Sequence, residues 1–222
     1  MSKKSFLVYL MLLCFSALTL AAPKLLEGSL EYRSTLMNID ITYPVLISGT
    51  NQAAIDRINS TIKRDTDNFY HYFLNYQKQP IRESLKYDGH ISYDITLNEA
   101  DLLSVNITYY EFTGGAHGTY ELVNYTFDTK TGKRLTLKDL FFAEFNYKEF
   151  IESVIAKEIE ANKSEYFEDA IQTLAQSNFS FYLEPEKLVI YYGLYEITPY
   201  CNGIPTFNLP LSLCQDKLLL KW

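Results

Sequence analysis

The sequence is poor in the residues that most often carry chemistry. Its three histidines, His71, His90 and His117, stand at least 19 positions apart, so there is no HExxH or HxxxH pair to bind zinc from one helix face. There is no GxSxG elbow, no GxxxxGK[ST] phosphate loop and no GxGxxG, which removes the usual marks of serine hydrolases, nucleotide hydrolysis and dinucleotide binding. Cysteines number only three. No catalytic residue, metal site or cofactor is therefore expected. Long apolar runs are equally scarce: the single one, "FLVYLMLLCFSALTLAA" from Phe6 to Ala22, follows Lys3 and Lys4 and ends in small residues. It reads as a secretory signal peptide over residues 1–21, cut after Ala21, rather than as a membrane span.

Positive charge is also in short supply. The leader holds two lysines and no acid, so the mature chain has 18 basic and 27 acidic side chains, a formal charge of −9. Such a surface disfavours nucleic acid and anionic lipid and speeds encounter with a cationic partner. The expected location is periplasmic or secreted, with no stable membrane span after cleavage. Cys14 leaves with the leader. The remaining pair, Cys201 and Cys214, is expected to form a disulfide in an oxidising compartment, closing a loop of 12 intervening residues and stabilising the fold by roughly 3 kcal/mol.

What the chain does have is aromatic surface, with 19 tyrosines and 14 phenylalanines. This suits sheets more than a helical bundle. "LLEGSLEYRST" and "MNIDITYPVL" read as two opening strands, with Pro44 placing the second at an edge or near its own end. From Gln52 to Tyr76 the period changes: Ile55, Ile58, Ile62, Phe69, Phe73 and Tyr76 recur at helical spacing, Thr50 or Asn51 can cap the start, and Pro80 closes the region. Three alternating stretches, "HISYDITLN", "LLSVNITYYEF" and "TYELVNYTFD", predict an antiparallel meander. Capping boxes at Thr136/Asp139 and Asn146/Glu149 start a short helical turn and a helix bearing Phe150, Ile151, Val154, Ile155 and Ile159. A further helical face is read at Tyr166, Phe167, Ala170, Ile171 and Leu174. A hairpin around Glu184–Lys187 and a last extended piece, "IPTFNLPLSL", complete an α+β fold: an antiparallel β-sheet meander with packed amphipathic helices.

Two segments look functional. "TGGAHG", residues 113–118, joins two strands of the meander; its glycines allow a turn or a close backbone approach, and His117 is either part of that bend or part of a ligand-contacting loop. "YYGLYEITPYCNGIP" crowds Tyr192, Tyr195, Pro199 and Tyr200 into one loop, which serves either as a rigid contact surface or as a cover over the core. Five Asn-x-Ser/Thr triplets begin at Asn59, Asn106, Asn124, Asn162 and Asn178, several within predicted elements, and read as accidents of composition.

"GGAHGTYELVNYTFDTKTGKRLTLKDLF" followed by "FYLEPEKLVIYYGLYEITPYCNGIPTFNLP" resembles the carboxy-terminal domain of the PdaC/RsiV-like family of bacterial envelope proteins. The segment from about Leu25 to Asn98 resembles, more loosely, the family's PdaC-type domain. This divides the chain into a signal peptide (1–21), a PdaC-like domain (22–109) and an RsiV-like domain (110–222). The resemblance implies an α+β fold outside the cytoplasmic membrane and, from the lysozyme-sensing members, a grip on a muramidase. The family's metal-dependent esterase domain, with its histidine pair four apart, has no counterpart here, and sigma regulation is not expected. The leading expectation is an exported, non-enzymatic recognition module that binds a lysozyme-like protein or peptidoglycan through His117, Tyr192, Tyr195, Pro199 and Tyr200. The alternative is a cell-wall hydrolase or deacetylase that uses His117 with Glu111 or Glu121, which requires a carboxylate within hydrogen-bond reach of the imidazole. A purely structural envelope protein is the third reading.

Overall fold

The computed structural model describes residues 22–49, 51–76, 86–99, 101–174, 178–220 and 222. The expected signal peptide, the candidate cap Thr50 and Pro80 lie outside these residues. Strands β1 (Lys24–Arg33) and β2 (Met37–Ser48) form an antiparallel hairpin. Helix α1 (Gln52–Tyr76) then crosses over, and β3 (Tyr87–Asn98) returns parallel to β2, with Met37–Ile41 beside Tyr87–Ile91. Strands β4 (Leu102–Phe112), β5 (Thr119–Asp128) and the short β6 (Lys133–Arg134) continue antiparallel, completing a six-stranded sheet in sequence order. The meander is as expected; its parallel join to the opening hairpin was not, although a parallel pair requires just such a crossover element.

Local chemistry explains the shape of β2. Its pairing with β3 ends at Ile41, so Pro44, which has no N–H to offer, faces only Glu27 of β1. Beyond it the Asn59 side chain on α1 stands in for the missing strand: Oδ1 accepts from the Leu46 N–H and Nδ2 donates to the Leu46 carbonyl, each at 2.9 Å. Asn51 caps α1, its Oδ1 accepting from the Ala53 N–H at 2.9 Å. The helix buries Ala54, Ile55, Ile58, Ile62, Thr66 and Phe73 on one face, against Ile39, Ile41, Leu103, Val105, Ile107 and Phe127 of the sheet.

A second core follows the sheet. A 3₁₀ turn at Leu137–Leu140, helix α2 (Tyr147–Ala161) and helix α3 (Ala170–Leu174) pack on a three-stranded antiparallel sheet of β7 (Ser180–Glu184), β8 (Lys187–Tyr191) and β9 (Thr206–Pro210). Ile151, Ile155 and Ile159 of α2 meet Leu183, Leu188, Ile190, Phe207 and Leu209 there. Helix α3 is shorter than its apolar spacing suggests. Ahead of it the Phe167 N–H bonds the Ile197 carbonyl at 2.9 Å, and Tyr166 stacks on Phe207, so tertiary contacts replace the first helical turns. The expected boundary at 109/110 falls inside β4, and the six-stranded sheet runs on to Arg134.

The two sheets meet across a buried polar seam. Among the residues of β4 and β5 that face away from α1, the polar Ser104, Asn106, Asn124 and Thr126 are all buried. Asn124 Nδ2 donates to Ser104 Oγ (3.0 Å), Asn106 Oδ1 (3.0 Å) and the Val105 carbonyl (3.2 Å), and its Oδ1 accepts from the Thr126 hydroxyl (2.7 Å). The small sheet attaches to this cluster: the Leu183 N–H donates to Ser104 Oγ at 3.1 Å, and the Tyr191 hydroxyl accepts from the Asn124 N–H and donates to the Leu122 carbonyl, each at 3.1 Å. Asn106 and Asn124 head two of the five triplets, and their burial leaves no room for a glycan on either.

Asp139 anchors the start of the second core. Its carboxylate accepts from the Thr136 N–H (2.8 Å) and hydroxyl (2.7 Å) and pairs with Lys133 at 2.5 Å. Partial burial opposes ionisation there, but the Lys133 and Thr136 hydrogen bonds prevail and hold its pKa down at about 2, against an ordinary 3.8. A depressed carboxylate stabilises the fold above its unfolded pKa and loses that contribution as pH falls through the folded one. Melting temperature is therefore expected to drop between pH 4 and 2, and Asp139→Asn to show a shallower drop over that window with a lower melting point at pH 7.

Candidate functional site

The β4–β5 connection and the segment after β8 build one surface. At Gly118 a Cβ would collide with the Tyr110 ring and hydroxyl, so any other residue there would have to displace that ring. This close approach brings the Gly118 carbonyl to two partners: the Tyr200 hydroxyl donates to it at 2.9 Å, and His117 Nδ1 lies 2.8 Å from it. The imidazole stacks on the Tyr200 ring, with centroids 4.1 Å apart and planes inclined by 25°. Tyr195, held at φ +63°, lies 5.6 Å from Tyr200 and is 55% exposed; Tyr120 meets Tyr200 edge-on at 6.4 Å. The two segments singled out in the sequence thus form a single aromatic platform.

The loop is stiff for reasons other than a disulfide. The Gly193 N–H donates to the Glu196 carboxylate, Asn202 Nδ2 to the Glu165 carbonyl (2.9 Å), and the Tyr192 N–H to the Pro205 carbonyl (3.2 Å). The expected bridge is corrected: Cys201 and Cys214 are both free, Cys201 being exposed beside Asn202 while Cys214 is packed in the second core among apolar side chains. Burial first, then the Asp216 charge, pushes the Cys214 thiol up and keeps it protonated.

Of the five candidate residues, the structure brings together His117, Tyr195 and Tyr200. Pro199 directs the chain into the 3₁₀ turn Tyr200–Asn202 that presents Tyr200. Tyr192 is elsewhere: it is buried, edge-on to Phe179 and Phe207 in the second core. The loop therefore exposes Tyr195, leaves Tyr200 half-buried and covers the second core with Tyr192. Among the described residues no carboxylate hydrogen-bonds His117; its Nδ1 meets the carbonyl of the next residue.

Glu111 and Glu121 face a different space. Strand alternation places Tyr109, Glu111, Glu121, Val123 and Tyr125 toward α1, on the opposite face from Tyr110 and Leu122. There they line a cleft of about 600 Å³ closed by Asp65, Asn68, Phe69 and Tyr72 of α1. At its floor Tyr125 donates to Asp65 Oδ2 (3.0 Å) and lies 3.1 Å from the Tyr109 hydroxyl. Burial first, then Tyr109 and the Asp65 charge, holds the Tyr125 phenol well above its ordinary pKa, so it remains the donor. The Arg134 guanidinium covers the Tyr125 ring at 4.1 Å and donates to the Asn124 carbonyl. Sequence reasoning missed this cleft, although Asp65, Asn68 and Tyr72 recur at helical spacing and so share a face. Among the described residues no cluster of three or more His, Cys, Asp or Glu side chains is arranged to hold a metal ion.

Comparison with known proteins places the fold in context. The family model described as deacetylase PdaC matches residues 30–120, and that described as a protein of unknown function (DUF3298) matches residues 138–212. The anti-sigma-V factor RsiV of Bacillus subtilis (strain 168) is 27% identical over 198 residues, which cover 82% of this chain and 66% of that protein. The chain is thus PdaC/RsiV-like over both matched segments. Solved structures of DUF3298 family members share the fold of this PdaC/RsiV-like chain: one from Bacteroides fragilis (TM-score 0.66, 21% identity) and one from Pseudomonas aeruginosa (TM-score 0.61, 15% identity). Each match covers 88% of this chain and 94% of the other. Among the described residues of the PdaC/RsiV-like chain, no helix is long and apolar enough to cross a membrane.

Proposed function

We propose that the chain is an extracytoplasmic, non-enzymatic recognition module that docks a lysozyme-like protein on the platform formed by His117, Tyr195, Pro199 and Tyr200. The observation that carries this reading is the stack of His117 on Tyr200 over the shared Gly118 carbonyl, which unites both family motifs in one exposed, pre-organised aromatic surface. Rigid aromatic side chains give large contact area at low entropic cost. The same contacts favour recognition over a His117 hydrolase, since Nδ1 meets a backbone carbonyl and the ring lies on a tyrosine face.

The acidic surface suits a cationic muramidase. The decisive experiment is capture of the purified exported chain by immobilised lysozyme and, in a separate arm, by peptidoglycan sacculi, across a salt series. Expected is lysozyme capture that weakens as salt rises from 50 to 500 mM. Salt-independent capture by sacculi with none by lysozyme moves the assignment to the wall polymer, and release of products from either wall or ester substrates that depends on His117 overturns the non-enzymatic reading.

A further inference from the structure

We propose that the cleft between α1 and the β4–β5 hairpin is a socket for a cationic side chain, an arginine or lysine presented by the protein that docks on the platform. Three separate elements each send one carboxylate to it: Asp65 from α1, Glu111 from β4 and Glu121 from β5. Asp65 is already satisfied, with Arg64 on Oδ1 at 2.9 Å and the Tyr125 hydroxyl on Oδ2 at 3.0 Å. Among the described residues Glu111 and Glu121 have no ion-pair partner and no basic side chain lines the cleft. Arg64 is engaged with Asp65, and Arg134 is held over the Tyr125 ring by the Asn124 carbonyl.

The walls narrow the chemistry further. Phe69, Tyr72 and Tyr109 supply aromatic surface, and Tyr72 is 49% exposed. A ring face and an unpaired carboxylate both attract a cation and both repel an anion. Glu111 is felt at Tyr72, whose phenol is pushed up to about 12, first by its hydrogen bond to Tyr76, then by burial and the Glu111 charge. A bare metal ion fits poorly, because among the described residues no three ligating side chains converge, and a volume of about 600 Å³ suits an organic group. The platform adjoins the cleft, since Tyr120 both lines the cleft and meets Tyr200 of the platform, so a partner seated there can reach it. The source of the cation rests on the docking reading; the socket chemistry does not.

The test is a titration of the ¹⁵N-labelled exported chain with acetyl-arginine amide, acetyl-lysine amide and the neutral isostere acetyl-citrulline amide. Expected are amide shifts around Asp65, Glu111 and Glu121 with the two cations and none with citrulline, and binding weakened at least about fivefold in the double variant Glu111→Gln/Glu121→Gln. Both positions are at the surface, and an unchanged melting temperature in the double variant establishes that its fold is intact. Absent shifts, equal shifts with citrulline, or undiminished binding by the double variant overturns the socket. Tyr200→Ala separates the two ideas: it is expected to leave the arginine probe bound. Lysozyme capture that survives Tyr200→Ala sinks the platform reading without touching the socket, whereas wild-type lysozyme capture undiminished in the Gln variant shows that the partner does not fill it.

Discussion

Replacing Tyr200 with alanine is expected to weaken lysozyme capture by about 2 kcal/mol, roughly thirtyfold, measured by surface plasmon resonance at fixed salt. Tyr200 is the centre of the platform: its ring is shared by His117, Tyr195 and Tyr120, and its hydroxyl fixes the Gly118 carbonyl. Truncation therefore removes contact area and also frees the loop that presents the neighbouring rings. Tyr200→Phe keeps the stack and loses one hydrogen bond, for an expected loss of about 1 kcal/mol. Tyr192 provides the internal control. It lies in the second core and its hydroxyl has no partner among the described residues, so Tyr192→Phe is expected to leave binding unchanged and to raise stability slightly. Equal losses at positions 192 and 200 would mean that the loop acts only by being folded.

Asn124→Ala is expected to lower stability by about 3 kcal/mol, seen as a calorimetric melting point about 6–12 °C lower. The substitution strands several buried groups at once: Ser104, Asn106, Thr126 and the Val105 carbonyl each lose a partner in a place water does not reach. Asn178→Ala, at an exposed position, serves as the reference and is expected to stay within about 0.5 kcal/mol. A loss below 1 kcal/mol at Asn124 would show that the two sheets are held by apolar packing and that the seam is incidental.

The contrast between these positions shows where the sequence could be read and where it could not. Helix α1 was legible to its ends because Asn51 caps it and its isoleucines keep one face, both local facts. The capping box at Thr136 and the N-cap at Asn146 were legible for the same reason. The face of β4 and β5 carrying Ser104, Asn106, Asn124 and Thr126 was not, since alternating polar residues ordinarily face water; here a second sheet arrives from more than 50 positions along the chain to cover them. The site divides likewise. "GGAHG" and "YEITPYCNG" stood out as glycine-rich and aromatic loops, but nothing local says that they stack, or that Tyr192 turns inward while Tyr195 turns outward. The cleft escaped because its carboxylates come from three elements, and only tertiary structure assembles them. Cys201 and Cys214 form an even pair in sequence, yet one is committed to a core and the other to an exposed turn.

The parallel pairing of β2 with β3 has a bearing on how the chain assembles. Each hairpin of the large sheet closes over a short connection, whereas the bond between Asn38 and Asp88 spans 50 residues. Joining distant segments forfeits more chain freedom than closing a neighbouring turn, so this five-residue seam is expected to form after the hairpins. Before it forms, β2 and β3 each offer an open border to any passing strand, and α1, lying over that join, acts as the fold's own chaperone against such mispairing.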